Sequence, residues 1–245
     1  MPVPRIHVDQ PLAPGMELGL GANGTRHVQV LRLQPGDALI LFDGRGGQWG
    51  GAISAMSRRE VRVRTLQHEA LERELPTQIT LAVGMPANER MDALIEKATE
   101  LGVAAIQPLV CERSVLRVAG ERALRKAAHW HAVAVAACEQ CGRNRVPAIA
   151  EPIGLPEWLR LAADLQDSTR WLLSLIDARP WPPARWTSGP VMLLSGPEGG
   201  FTTQEEAAAR AAGFVACSLG ARVLRADTAP LAALAWLALE TSEVK

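Results

Sequence analysis

A change of hydrophobic pattern near residue 75 constrains this chain more than any other feature. Before it, the sequence runs in short alternating pieces, ALILF at 38–42 and VRVRT at 61–65, with PGD and DGRGG as turns between them. Period-two alternation broken by closely spaced turns predicts a small all-β barrel. From Pro76 onward, apolar runs (ITLAVG, VAAIQPLV, WLLSLI, VMLLS, FVACSL) alternate with stretches of helical period. Strands alternating with helices imply a mostly parallel sheet covered by helices on both faces. The expected fold class is therefore α/β over residues 75–245, preceded by a β-barrel over residues 1–74. A length of 245 residues suits a small domain joined to a larger one.

The helices carry their own punctuation. Asn88 is placed to cap a segment in which Met91, Leu94, Ile95, Ala98 and Leu101 share one face, with Gly102 to end it. Thr202 and Thr203 each have a glutamate three residues on, Glu205 and Glu206, giving two possible capping boxes before an Ala-rich helix that stops at Gly213. A last helix is expected from about Thr228 to Glu240. The Pro-rich stretch RPWPPARW, 179–186, reads as an ordered loop between strands.

Twenty-six basic residues balance twenty-six acidic ones, which argues against coating nucleic acid or an anionic membrane by bulk charge. Locally the balance fails: residues 111–147 hold seven basic side chains (Arg113, Arg117, Arg122, Arg125, Lys126, Arg143, Arg145) and three acidic ones (Glu112, Glu121, Glu139). Such a segment suits a selective RNA contact, and equally a solvated helix face. The N-terminus lacks an apolar h-region and no apolar run reaches membrane-spanning length, so a cytoplasmic location is expected. Cys111, Cys138, Cys141 and Cys217 then read as reduced thiols.

Two motifs invite a sharper reading and do not sustain it. GLGANG at 19–24 satisfies G-x-G-x-x-G, but no strand is visible before it and Pro35-Gly36 cuts short the segment after it, so a loop is expected. Cys138-Glu-Gln-Cys141, with His129 and His131 upstream, lacks the committed ligands of a structural zinc site and the leading strand of a redox pair. The donors just beyond it, Arg143, Asn144 and Arg145, suit phosphate or base edges, or a solvated loop.

The last fifty residues are the most informative. LLSGPEGGF, 193–201, runs a buried strand into a Gly-Pro-Glu-Gly-Gly turn and then a capped helix. Its glycines let a ligand approach the backbone, while Phe201 stands where a phosphate-binding loop would carry lysine. LGARVLRADTAP, 219–230, repeats the arrangement, with Arg225 and Thr228 at the start of a helix. Two such loops at the carboxyl ends of strands form the usual ligand position of an open α/β sheet.

GPEGGF followed by a helix and LGxRVLRxDTA resembles the RsmE family of 16S ribosomal RNA uridine-N3 methyltransferases, within the SPOUT class of knotted S-adenosylmethionine enzymes. The resemblance extends over nearly the whole chain: PRI near the start, VLRLxPGDxLxLFDG, KxxELGV at 97–103, ERS at 112–114 and AACEQCGRNRVP at 136–147. It implies an N-terminal PUA-like barrel, a C-terminal trefoil knot, a homodimer, and no metal. Cofactor contacts would come from Leu173, Ser174 and Leu175; from Leu194, Ser195, Gly196, Pro197, Gly199 and Gly200; and from Leu219, Gly220, Val223, Leu224, Thr228 and Ala229. RNA contacts, to 16S ribosomal RNA within the small subunit, would come from Arg5, Arg32, Arg113, Gln140, Arg143, Asn144 and Arg145. The family usually has Glu where this chain has Asp227, and an aromatic near the start where it has His7-Val8.

Methylation at uracil N3 needs in-line approach and a nitrogen that has lost its proton. The expected catalytic residues are Arg225, stabilising the uracil oxyanion, and Glu198, which either positions Arg225 or accepts the proton; the plainer role for Glu198 is to cap the helix after it. A non-catalytic RNA-binding module, with purely structural glycine loops, and a knotted methyltransferase of another base or RNA are the alternatives.

Overall fold

The computed structural model describes residues 3–163, 167–182 and 189–241. The chain forms two compact units: Met1–Glu74 with Val135–Val146, and Leu75–Ala134 with Pro147–Lys245.

In the first unit, β1 (Arg5–His7), β2 (Glu17–Gly19), β3 (Ala38–Phe42), β4 (Gln48–Met56) and β5 (Val61–Glu69) form one sheet in the order β1-β3-β4-β5-β2. Only the β1–β3 pair is parallel. Two register shifts between β4 and β5 curl the sheet, since a bulge bends the strand that carries it and strengthens its twist. The alternation read from VRVRT is real: Val61 and Val63 are buried with Ile6, Leu18, Leu39, Leu41 and Ile53, while Arg62 and Arg64 face outward.

GLGANG departs from the loop expected of it. It follows β2 and contains the start of helix α1 (Ala22–Val30). The glycine serves packing: a Cβ on Gly24 would lie 3.1 Å from Ile6 and 3.3 Å from Leu20. β2 pairs antiparallel with β5, so no crossover unit of a dinucleotide site exists here. α1 is capped at Leu31, and the next residue, Arg32, has a φ of 58°, the left-handed geometry that favours glycine.

Behind β1 lies a polar hub. Arg143 is buried and donates from Nε and Nη2 to both oxygens of Glu74, a bidentate pair. Asn144, fully buried, donates to Leu71 O at 2.5 Å and accepts from Arg5 at 2.6 Å. Arg5 also donates to Arg143 O at 3.0 Å and Gln48 at 2.7 Å, with its guanidinium over the Phe42 ring. Burial, and then the nearby Arg73, lower the Arg5 pKa from its usual value.

The second unit contains β6 (Ile79–Gly84), α2 (Asn88–Glu100), β7 (Ala105–Val110), most of α3 (Glu121–Cys141), β8 (Ala148–Ile149), β9 (Ile153–Gly154), α4 (Leu155–Ala163), β10 (Thr169–Leu173), β11 (Arg179–Pro180), β12 (Val191–Ser195), α5 (Thr203–Ala211), β13 (Val215–Ser218) and α6 (Thr228–Thr241). The strand order is β11-β13-β10-β12-β6-β7-β8, with β9 also on β7, and every pair is parallel. On one face, Ala82, Leu172, Met192, Leu194 and Ala216 pack with Trp158 and Leu159 of α4 and Ala209 of α5. α6 lies on β6 and β12 and against α2. Of the stretch 179–186, Arg179–Pro180 forms β11, and residues 183–186 lie outside the described residues.

The cap positions refine the sequence reading. Thr202 and Glu205 form the capping box of α5, each side chain bonding the other's backbone N–H; Thr203 lies inside the helix. For α2 the cap position is Ala87, and Asn88 is already helical. Among the described residues no helix is long and apolar enough to cross a membrane.

The Arg143–Glu74 pair generates a stability prediction. Removing one partner of a buried ion pair leaves the other uncompensated, at a cost of about 3–5 kcal/mol. Arg143→Ala should lower the urea midpoint of the first unit accordingly; an unchanged midpoint would show that the pair contributes nothing to folding.

Candidate active site

Parallel register brings three strand ends level. Leu173, the last residue of β10, pairs with Ser195 at the end of β12 on one side and with Cys217 of β13 on the other. The segments that leave these strands enclose a cavity of about 530 Å³, within the range of small-molecule sites. One wall is Leu173–Ile176, a second is Ser195–Phe201, and a third runs from Leu219 through Ala229.

Contacts from other elements set the shape of the second wall. Gly84, at the end of β6, has Pro197 so close that a Cβ would lie 2.4 Å from its Cδ. Arg113 donates to Gly199 O at 3.1 Å and Phe201 O at 3.3 Å, and Glu112 N–H donates to Glu205 at 2.8 Å. Gly200 has φ +66° with open space where a Cβ would stand. A side chain there would be strained and would project into that space.

Glu198 does not cap the helix after it, nor does it hold Arg225. Its Oε1 accepts Ala87 N–H at 3.0 Å, at the start of α2, and lies 3.6 Å from Arg90 Nη1. The expectation that Glu198 positions Arg225 is therefore corrected: the carboxylate is taken up by α2, a helix with no side-chain cap of its own. Arg225 lines the cavity and is exposed.

Of the expected cofactor residues, Leu173, Ser174, Leu175, Ser195, Gly196, Pro197, Gly200, Leu219, Val223, Leu224 and Ala229 line the cavity. Four do not. Leu194 points into the core under α4 and α5. Gly199 backs onto Arg113, whose Cβ would be 2.9 Å from a Cβ placed there. Thr228 is the first residue of α6, its N–H on Arg225 O at 3.0 Å. Gly220 lines a neighbouring cavity with Trp181. Ile176 and Arg222, within the expected loops 173–176 and 219–224, also line the first cavity, and the residues missed include Arg90, Phe201 and Glu206. Arg90 reaches the site from α2, and no local motif marks it.

The expected RNA residues divide. Arg143 and Asn144 are corrected: both are buried, with polar atoms on protein acceptors, so they organise the first unit and do not present donors at its surface. Arg5 belongs to the same hub. Arg145 is exposed and pairs with Glu72 at 3.2 Å, and Arg32 and Gln140 are exposed. Arg113, in the second unit, braces the glycine turn and lines the cavity.

Three of the four cysteines, Cys111, Cys138 and Cys217, are buried thiols of low reactivity. Burial pushes Cys138 up to about 12, and Cys111 and Cys217 likewise. Among the described residues no group of His, Cys, Asp and Glu is arranged to hold a metal ion, and His129 bonds Asp92 at 2.8 Å.

The lining suits the cofactor that the resemblance implies. Leu175, Ile176, Leu219 and Leu224 offer apolar surface for a nucleoside, and the Gly196–Gly200 turn offers backbone groups without side chains in the way.

A family model of an RNA methyltransferase domain matches residues 73–238, and a model of an RNA methyltransferase PUA domain matches residues 22–66. By class, then, the chain is an RNA methyltransferase, and its cavity lies at the carboxyl edge of a parallel sheet. The ribosomal RNA small subunit methyltransferase E of a Synechocystis strain is 33% identical over 216 residues, 84% of this chain and 67% of that protein. The same enzyme from Neisseria gonorrhoeae, solved bound to S-adenosyl methionine, is 38% identical with TM-score 0.90, covering 96% of both chains. A Legionella pneumophila methyltransferase solved with bound SAM is 33% identical with TM-score 0.92, covering 98% of both. The chain belongs to the ribosomal RNA small subunit methyltransferase E family.

The thiol environments predict an order of reactivity. With values near 12, Cys111, Cys138 and Cys217 hold about one thiolate in ten thousand at pH 8. Iodoacetamide at pH 8 should modify the half-buried Cys141 first and reach the other three only on unfolding, as read by peptide mass spectrometry; early labelling of Cys138 would contradict this burial.

Proposed function

We propose that the chain methylates N3 of one uridine in 16S ribosomal RNA of the small subunit, with S-adenosylmethionine as methyl donor, in the cytoplasm and as a homodimer whose C-terminal loops are threaded as a trefoil knot. The observation that carries the reading is the cavity itself: three strand-end loops and a glycine turn, with Arg225 and Glu198 both in its lining.

When bound, the cofactor supplies a methyl group on a sulfonium sulfur that departs as a neutral thioether. The chain's residues do the rest. Arg225, exposed at the cavity, places a guanidinium where charge builds on a uracil oxygen as N3 loses its proton. Glu198 keeps Oε1 on Ala87 and Arg90, while Oε2 has no protein hydrogen-bond partner among the described residues; Oε2 is our choice for the proton acceptor. Glu198 Oε2 would take the N3 proton before attack, while Arg225 holds the uracil oxygen on which the negative charge then rests. Arg32, Arg145 and Gln140 are the exposed candidates for holding RNA on the first unit.

The homodimer is supported by α6. From Pro230 to Leu239 the helix is apolar around its whole circumference, a pattern of helices covered on all sides, yet Leu239 is 78% exposed and, just before the helix, Val223 is 84% exposed. Light scattering at micromolar concentration should give twice the chain mass, and Leu239→Lys should lower it.

The direct test incubates small subunits lacking the modification with enzyme and cofactor, then looks for one new 3-methyluridine by mass spectrometry; a different methylated base would overturn the assignment. Arg225→Ala and Glu198→Gln should each reduce turnover by about 10²-fold with cofactor affinity kept. A wild-type rate for Glu198→Gln would confine that carboxylate to holding α2.

A further inference from the structure

Two carboxylates line the cavity, Glu198 and Glu206, and they are held differently. Glu206 is 9% exposed on the buried side of α5, a position its neighbour one turn on fills with Ala209. Its Oε1 accepts the Ser174 hydroxyl at 2.8 Å. Ser174 Oγ accepts Ile176 N–H at 3.0 Å, and Arg210 donates to Ile176 O at 2.6 Å. That arginine comes only to 3.7 Å of Glu206 Oε2, outside hydrogen-bond distance. The carboxylate is thus fixed against the Leu173–Ile176 wall with incomplete compensation from the protein.

Burying a carboxylate is costly unless a cation or several donors meet it. One hydroxyl and one offset arginine meet this one. The other charged side chains of the cavity, apart from Glu198, are four arginines, Arg90, Arg113, Arg222 and Arg225, which by themselves disfavour a further positive charge. Taking the cavity as the S-adenosylmethionine site, we propose that Glu206 is a specificity-determining residue that favours the cationic methyl donor over the neutral thioether product. Donor and product share the adenosine and amino-acid parts and differ by one methyl group and one positive charge. A fixed negative charge in the wall separates them by Coulomb attraction, by about tenfold for charges about 10 Å apart at an effective dielectric of about 20. The consequence is easier release of product and weaker product inhibition.

Glu206→Gln keeps the shape and an acceptor for Ser174 while deleting the charge. Calorimetric titration of full-length wild type and E206Q with S-adenosylmethionine and S-adenosylhomocysteine reads the effect without turnover. The expected result is a loss of about tenfold in donor affinity, with product affinity within twofold. An unchanged donor-to-product ratio overturns the proposal and leaves Glu206 as a brace for Ser174. Wild-type protein that binds neither compound overturns the cofactor reading itself, a distinguishable failure. Arg210→Gln, which removes the opposing cation, should move the ratio toward the donor; if E206Q does not fold, an unchanged ratio in R210Q overturns the proposal.

Discussion

β12 is bonded along its whole length on both edges, to β10 and to β6, and all five of its residues are buried. Parallel pairing obliges every strand to release its loop at the same edge. With β12 locked between two neighbours in register, the Gly196–Gly200 turn has one place to go, and the β10 and β13 loops must flank it. The contact of Gly84 with Pro197 adds a second restraint, since the end of β6 approaches the turn too closely for any side chain. The cavity follows from the register, and its glycines follow from how closely backbone meets backbone there.

The same physics decides what could be read from the sequence. Buried parallel strands are apolar throughout, so ITLAVG and VMLLS stand out, and the glycine turns after them mark where a ligand goes. Two-residue strands such as β8, β9 and β11 have no periodicity to read. α4 was legible in principle: Leu155, Trp158, Leu159 and Ala162 are its buried stripe. Its Pro156 stands in the first turn, where proline is well tolerated. Strand order was beyond reach, because nothing local in FVACSL tells that β13 inserts between β10 and β11.

The expected residues that line the cavity are those next to glycines and strand ends, where local sequence and local geometry coincide. Those missed arrive from elsewhere: Arg90 from α2, and Glu206, whose place in a Thr-Gln-Glu-Glu run reads as capping chemistry although its side chain faces the cavity wall. The positive segment 111–147 shows the opposite failure. Its excess charge is a property of the sequence and only partly of the surface, since Glu74, distant by sixty-nine positions, takes Arg143, and Glu72 takes Arg145.

Arginines in this chain are therefore separated by what meets them. Arg5 and Arg143 meet carboxylate, amide and carbonyl groups inside the first unit, and their charge is used in holding the fold. Arg113 meets the carbonyls of the glycine turn, and its charge is used in shaping the cavity. Arg32 and Arg225 are different: both are exposed, and neither side chain has a protein partner among the described residues. Arg32 moreover occupies a left-handed position where glycine would relieve roughly 1 kcal/mol of backbone strain. No carboxylate or carbonyl among the described residues meets that side chain, so its charge is not used in packing the first unit. Neutral overall charge thus averages over two populations: among the described residues eight basic side chains meet a carboxylate in an ion pair, while others, Arg32 and Arg225 among them, meet no protein group.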